Sequence, residues 1–170
     1  AGATTTVNID NGGKVECYSL RVADINGTPI VNINSGGEIK CADVYVGNAT
    51  FLTGGKINID HGILSDSTVG YIQTNWIWGF KGLDLTVDIK AGGATFDIAN
   101  QYKSISEDIT GVGDLTKTGG ETLAFDATPT LTGDINVNAG TVLFNTDVSG
   151  LAGSIVVASG AAVGGTGTLP

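Results

Sequence analysis

The sequence predicts an all-β fold, a single-stranded parallel β-solenoid of about 7–8 coils, and three observations carry that expectation. The first is a stretch written twice: Val7-Asn8-Ile9-Asp10-Asn11-Gly12-Gly13-Lys14-Val15-Glu16-Cys17 returns as Val31-Asn32-Ile33-Asn34-Ser35-Gly36-Gly37-Glu38-Ile39-Lys40-Cys41. The second is the form of each copy, two short runs of alternating apolar and polar residues hinged at a glycine pair. Alternation at period two marks strands, and Gly-Gly marks a corner needing positive φ or close backbone approach. The third is composition: Gly 27, Pro 3, Met 0 and only 15% charged residues suit short strands and tight turns. No helical periodicity competes.

Taken in order, the two first copies set the pattern for a coil. Val7, Ile9, Val15 and Cys17, then Val31, Ile33, Ile39 and Cys41, form the inward set. Asn8, Asp10, Lys14 and Glu16 face water. Looser copies follow at Ala49–Ile59, with Ile59 expected where the earlier copies have cysteine, and at Val87–Gly93, Ile135–Gly140 and Ile155–Gly160. Their first glycines stand at 12, 36, 54, 92, 140 and 160. Gaps of 24, 18 and 20 residues fit one coil each, and gaps of 38 and 48 fit two, or one with an insertion. Gly119-Gly120-Glu121-Thr122-Leu123-Ala124-Phe125 is expected to fill the longest gap, as the parallel of Gly92–Ile98. Each strand should pair in parallel with its equivalent one turn later, at about 4.8 Å. One coil cannot bury its apolar face alone, so stability comes from stacking, and open coil edges invite other chains.

Bulk properties exclude several classes. A net charge of −9 and a pI near 4.2 argue against a nucleic-acid partner, whose phosphates need a basic patch. No apolar run is long enough for a membrane-spanning helix. Ala1-Gly2-Ala3-Thr4-Thr5-Thr6 lacks the regions of a signal peptide, and the chain reads as a piece of something longer.

A second signal lies in the C-terminal third. Gly111-Val112-Gly113-Asp114-Leu115-Thr116-Lys117-Thr118-Gly119-Gly120-Glu121-Thr122-Leu123, followed by Leu131-Thr132-Gly133-Asp134-Ile135-Asn136-Val137-Asn138-Ala139-Gly140-Thr141-Val142, resembles the passenger-associated repeat of Gram-negative autotransporters. Glu121 replaces the repeat's usual glycine, and Thr130-Leu131-Thr132-Gly133 replaces its Tyr-Thr-Gly turn. The resemblance covers residues 111–145, and solenoid character extends it. It implies a right-handed parallel β-helix like the pertactin-type passenger region that precedes the outer-membrane barrel. It also implies a division into stem coils over 1–110 and an autochaperone-like region over 111–170, in one continuous solenoid. Leu115, Leu123, Phe125, Leu131, Val142 and Phe144 are then the expected folding nucleus, because coils with non-local contacts nucleate slowly.

Residues that could carry chemistry are few. Cys17 and Cys41, equivalent in successive coils, would lie with Cα atoms near 5 Å, within disulfide range. A stacked thiol pair and a disulfide formed in an oxidising compartment both remain open. His61 is the one histidine, with no nucleophile motif beside it, and reads as an exposed turn residue. Asp10, Asn34 and Asn58 could form an outward ladder with a single carboxylate, too little for glycosidase or lyase chemistry. Gly164-Gly165-Thr166-Gly167-Thr168 lacks the aspartate of calcium-binding nonapeptides, so no metal and no cofactor is expected. Tyr71, Trp76, Trp78 and Phe80 form the one aromatic cluster. They offer either a binding surface for sugars and receptors or, for the two tryptophans, inward packing in a wider coil.

The expected role is non-enzymatic. It is a stalk and folding nucleus on the bacterial cell surface, with upstream passenger coils and a downstream outer-membrane β-barrel as partners. The rival is a directly adhesive module that binds host-cell glycans or proteins, or associates with itself.

Overall fold

The computed structural model describes residues 4–23, 27–48, 53–67, 75–78 and 85–170, except the side chains of Asn48, Thr53 and Trp78. It is a parallel β-solenoid of about six turns, and no helix occurs among the described residues. The first wall is a six-stranded sheet of Thr6–Ile9, Ile30–Asn34, Lys56–Asp60, Thr86–Ile89, Asp108–Gly111 and Thr130–Leu131, and each strand opens one turn. The second wall carries Gly62–Asp66, Ala94–Asp97, Leu115–Thr118, Ile135–Val137 and Ile155–Val157. The third carries Asn75–Trp78, Lys103–Ile105, Thr122–Phe125, Thr141–Phe144 and Ala162–Gly164. In the first two turns, Lys14–Val22 and Glu38–Asn48 run through both of these walls as single long strands. One short antiparallel pairing, Gly47–Asn48 with Thr53–Gly54, stands beside them.

The repeat written in the sequence is the register of the structure. Val7 lies opposite Val31, and Cys17 opposite Cys41. Later turns depart from the expected count because two kinds of corner carry glycine. Lys56–Asp60 pairs with Ile30–Asn34, so Ile59 follows Ile33 rather than Cys41, and the corner after it is Asp60-His61-Gly62. Ile135–Val137 belongs to the second wall, where it pairs with Leu115–Thr118. Gly119, Gly140 and Gly160 therefore turn the chain from second wall to third, whereas Gly12, Gly36 and Gly93 turn it from first to second; all six have positive φ. Counting both corners as one yields 7–8 coils instead of about six.

The interior is a set of stacked columns. Val15, Ile39, Leu64, Phe96, Lys117, Val137 and Val157 succeed one another in register along the second wall. Outside the first wall, Asn32 Nδ2 donates to Asn8 Oδ1 and Asn58 Nδ2 to Asn32 Oδ1, each at 2.7 Å. The expected column of Asp10, Asn34 and Asn58 is thus divided. Asn34 does donate to Asp10 (2.8 Å), but Asn58 continues the asparagine ladder and Asp60 takes the place opposite Asn34. At the first corner of the later turns, a Cβ on Gly133 would collide with the Gly113 carbonyl, so only glycine lets these turns stack. Beside that stack, Asp114 accepts the Asp134 amide and Asp134 accepts the Ser154 amide, both at 2.8 Å.

Candidate functional site

Polar and covalent groups concentrate at the corner between the second and third walls. In the first two turns, Cys17 and Cys41 sit opposite each other with Cα atoms 5.1 Å apart, and their sulfurs are joined as a disulfide. Opposite Cys41 in the third turn stands Asp66, a buried carboxylate. It accepts the backbone N–H groups of Ala99 (2.8 Å) and Gln101 (3.0 Å) and the side-chain amide of Asn100 (3.0 Å), holding the fourth turn's loop. Such multiple donation is what keeps a buried carboxylate tolerable.

Two lysines enter the interior there. Lys103, fully buried, crosses the third turn and donates from Nζ to the Ala42 carbonyl of the second turn at 2.9 Å. Burial pushes its ammonium below the usual lysine range, while the nearby carboxylates of Asp66 and Asp43 oppose the shift. Lys117, also fully buried, stands between Phe96 and Val137 in its column. Its ammonium donates to the carbonyls of Thr118 (2.6 Å) and Gly119 (2.7 Å) in its own turn and of Ala139 (3.0 Å) in the next. Burial lowers its pKa to about 8, against the opposing pull of Asp97, Asp66 and Glu121. All three ammonium hydrogens therefore find acceptors, and the sixth turn is tied to the fifth at the glycine corner.

The structure corrects the surface reading of Trp76, which is fully buried rather than exposed. Its Nε1 donates to the Cys41 carbonyl at 3.2 Å, and its ring meets Phe96 edge-on at 5.6 Å. A ring with no solvent-facing atoms cannot stack on a sugar. Tyr71, Phe80 and the Trp78 side chain lie outside the described residues. Leu115, Leu123, Phe125, Leu131, Val142 and Phe144 are all buried in one continuous core. Leu123 lies opposite Val142, and the Phe125 and Phe144 rings stack at 5.4 Å. Sequence reasoning missed Asp66, Lys103 and Lys117 as interior residues. Strict alternation with Leu64, Ile105 and Leu115 was the signal that could have found them.

His61 is exposed, with φ 58° and Nδ1 at 3.2 Å from Asp60 Oδ1. Beside it runs a groove of about 370 Å³ lined by Ile63, Thr95, Asp114 and Thr116 among others. The nearest carboxylate, Asp60, is already engaged by the Gly92 amide at 2.9 Å. Among the described residues, no three His, Cys, Asp or Glu side chains gather where they could hold a metal ion. On the outer second wall, Glu38 accepts from Ser65 (2.7 Å) and pairs with Lys14 (3.2 Å). Burial raises its pKa, but these two partners more than offset that and leave it below the usual range. The polar groups described so far bind backbone and one another across turns.

Fold and corner together define a β-solenoid whose successive turns are cross-linked at one corner. No protein-family model, curated protein or solved structure matches the chain.

Proposed function

We propose that this chain is a non-enzymatic β-helical passenger segment of a surface-displayed Gram-negative autotransporter. It serves as a stalk, and residues 111–170 act as its folding nucleus. One observation carries the reading: the segment resembling the passenger-associated repeat coincides with the most regular part of the solenoid. From Leu115 to Ile135 to Ile155 the interval is 20 residues each time, without excursions. Within it the motif's lysine has all its hydrogens engaged, and the motif's large apolar residues form a stacked core. Regular short turns lose the least loop entropy on closing, so they are the turns that can form first. The buried Trp76 removes support from the rival adhesive reading.

Refolding and unfolding kinetics of the full chain test the nucleus. Leu123→Ala should slow refolding about tenfold or more, whereas Ile33→Ala should chiefly speed unfolding. In cells, the chain placed between a reporter and an outer-membrane barrel should display less reporter with Leu123→Ala than with Ile33→Ala. Equal refolding rates and equal display for the two variants would sink the proposal.

A further inference from the structure

Among the described residues, the step from first wall to second is regular except in two adjacent turns. Ile9 to Lys14, Ile33 to Glu38, Gly111 to Thr116 and Leu131 to Asn136 are equivalent intervals, each five positions long. The third turn covers the same interval, Ile59 to Ile63, in four positions, and the fourth, Ile89 to Thr95, in six. A corner one residue short therefore stacks on a corner one residue long. The groove of about 370 Å³ lies at this mismatch, with His61, Ile63, Thr95, Asp114 and Thr116 among its walls over three turns. A Cβ on Gly92 would strike the His61 ring, so glycine is what lets the imidazole lie against the longer corner.

The lining favours one class of ligand. Its volume falls within the range of small-molecule sites, about 300–1,000 Å³. Ile63 supplies apolar surface. Thr95 and Thr116 stand one strand spacing apart, about 4.8 Å, in an outward column that Asn136 continues. Thr118, by contrast, lies outside the groove and spends its hydroxyl on Asp97 (2.9 Å). Asp114 presents an exposed carboxylate, one oxygen of which accepts the Asp134 amide. Hydroxyls, imidazole and carboxylate together both donate and accept, which suits a ligand whose own hydroxyls do both. Asp114 and the net charge of −9 disfavour an anion. An amine would meet a single carboxylate among the lining residues, and one exposed ion pair holds it weakly.

We propose that this groove binds a neutral oligosaccharide, with one sugar ring over Ile63 beside His61 and Asp114. The sugar chain continues along the column of Thr95, Thr116 and Asn136, parallel to the solenoid axis. This site goes beyond the stalk reading and does not depend on it, and it draws nothing from the buried Trp76.

Amide NMR titration of the full, oxidised chain with cellotetraose, mannotetraose and N-acetylchitotetraose tests it, with tetralysine and a heparin tetrasaccharide as charged alternatives. At least one neutral tetrasaccharide should bind, shift the amides of Ile63, Thr95 and Thr116, and bind more tightly than its monosaccharide. Replacing Thr95→Val and Thr116→Val together keeps the shape, removes both hydroxyls and should weaken that sugar about tenfold. Asp114→Asn keeps an acceptor for the Asp134 amide and should weaken it about fivefold. Thr118→Val should leave binding unchanged. Failure of all the neutral sugars overturns the proposal, as does binding of tetralysine or the heparin tetrasaccharide alone. So do amide shifts confined to other faces, or a Thr118→Val loss equal to that of the groove variants.

Discussion

The first three turns and the last three solve the same problem differently. On the third wall, Val44 and Ile77 are 33 residues apart, while Thr122 and Thr141 are 19 apart. The long early turns are tied by named cross-links: the Cys17–Cys41 disulfide, the asparagine ladder, the Asp66 carboxylate and the Lys103 ammonium. The short later turns rely on repetition, with glycine over glycine at the corners and phenylalanine over phenylalanine inside. Lys117 interrupts that apolar stack where the corner exposes carbonyls to the interior, as Lys103 does in the fourth turn, where it reaches back to the Ala42 carbonyl. Repetition is enough when every turn has the same length, because equivalent side chains then meet automatically. Unequal turns need specific links to hold their register.

The largest expected break is in the early turns. Removing the disulfide with Cys17→Ala and Cys41→Ala frees a 24-residue loop and should cost about 3 kcal/mol. Amide exchange should rise across Thr6–Val22 while turns four to six stay protected; uniform loss of protection would erase the contrast between the halves.

The corresponding break in the late turns is Lys117→Met, which keeps the volume but leaves the Gly119 and Ala139 carbonyls without their ammonium donor. A loss of about 2 kcal/mol is expected from denaturant midpoints, and an unchanged midpoint would show the lysine to be dispensable. The same residue gives the late turns a distinctive pH response. Its folded pKa of about 8 lies below the 10.5 of an unperturbed lysine, so above pH 8 the unfolded chain holds a proton that the folded chain has released. Burying the charge costs stability below pH 8, and that cost is relieved as pH rises toward 10.5. Between pH 7 and 10 this group should add on the order of 2 kcal/mol of stability. The difference between wild type and Lys117→Met, followed across that range, isolates the contribution; a difference that does not change with pH would refute it.

The smallest effect is expected on the outer ladder. Asn32→Ala breaks two half-exposed amide bonds and should cost about 1 kcal/mol, measured by thermal unfolding. A much larger loss would mean that the ladder, not the interior, sets the early register.

Much of this architecture was legible beforehand. Eleven residues repeated in register, from Val7 to Cys17 and Val31 to Cys41, are spelled plainly because a parallel stack places like on like. The cysteine pair and the buried apolar set over 115–144 could be read for the same reason. The count of turns was harder, since Gly92-Gly93 and Gly119-Gly120 look alike while turning the chain at different corners. Trp76 was ambiguous because alternation says which residues share a face but not which face is covered.

The sequence by itself determined the strand period, the glycine corners and the pairing of equivalent residues, because each depends on neighbours along the chain or on exact repetition. Alternation with Leu64, Ile105 and Leu115 places Asp66, Lys103 and Lys117 on the apolar face. Only the tertiary structure decided that they stay buried there, because the carbonyls and amides that a buried charge requires come from other turns.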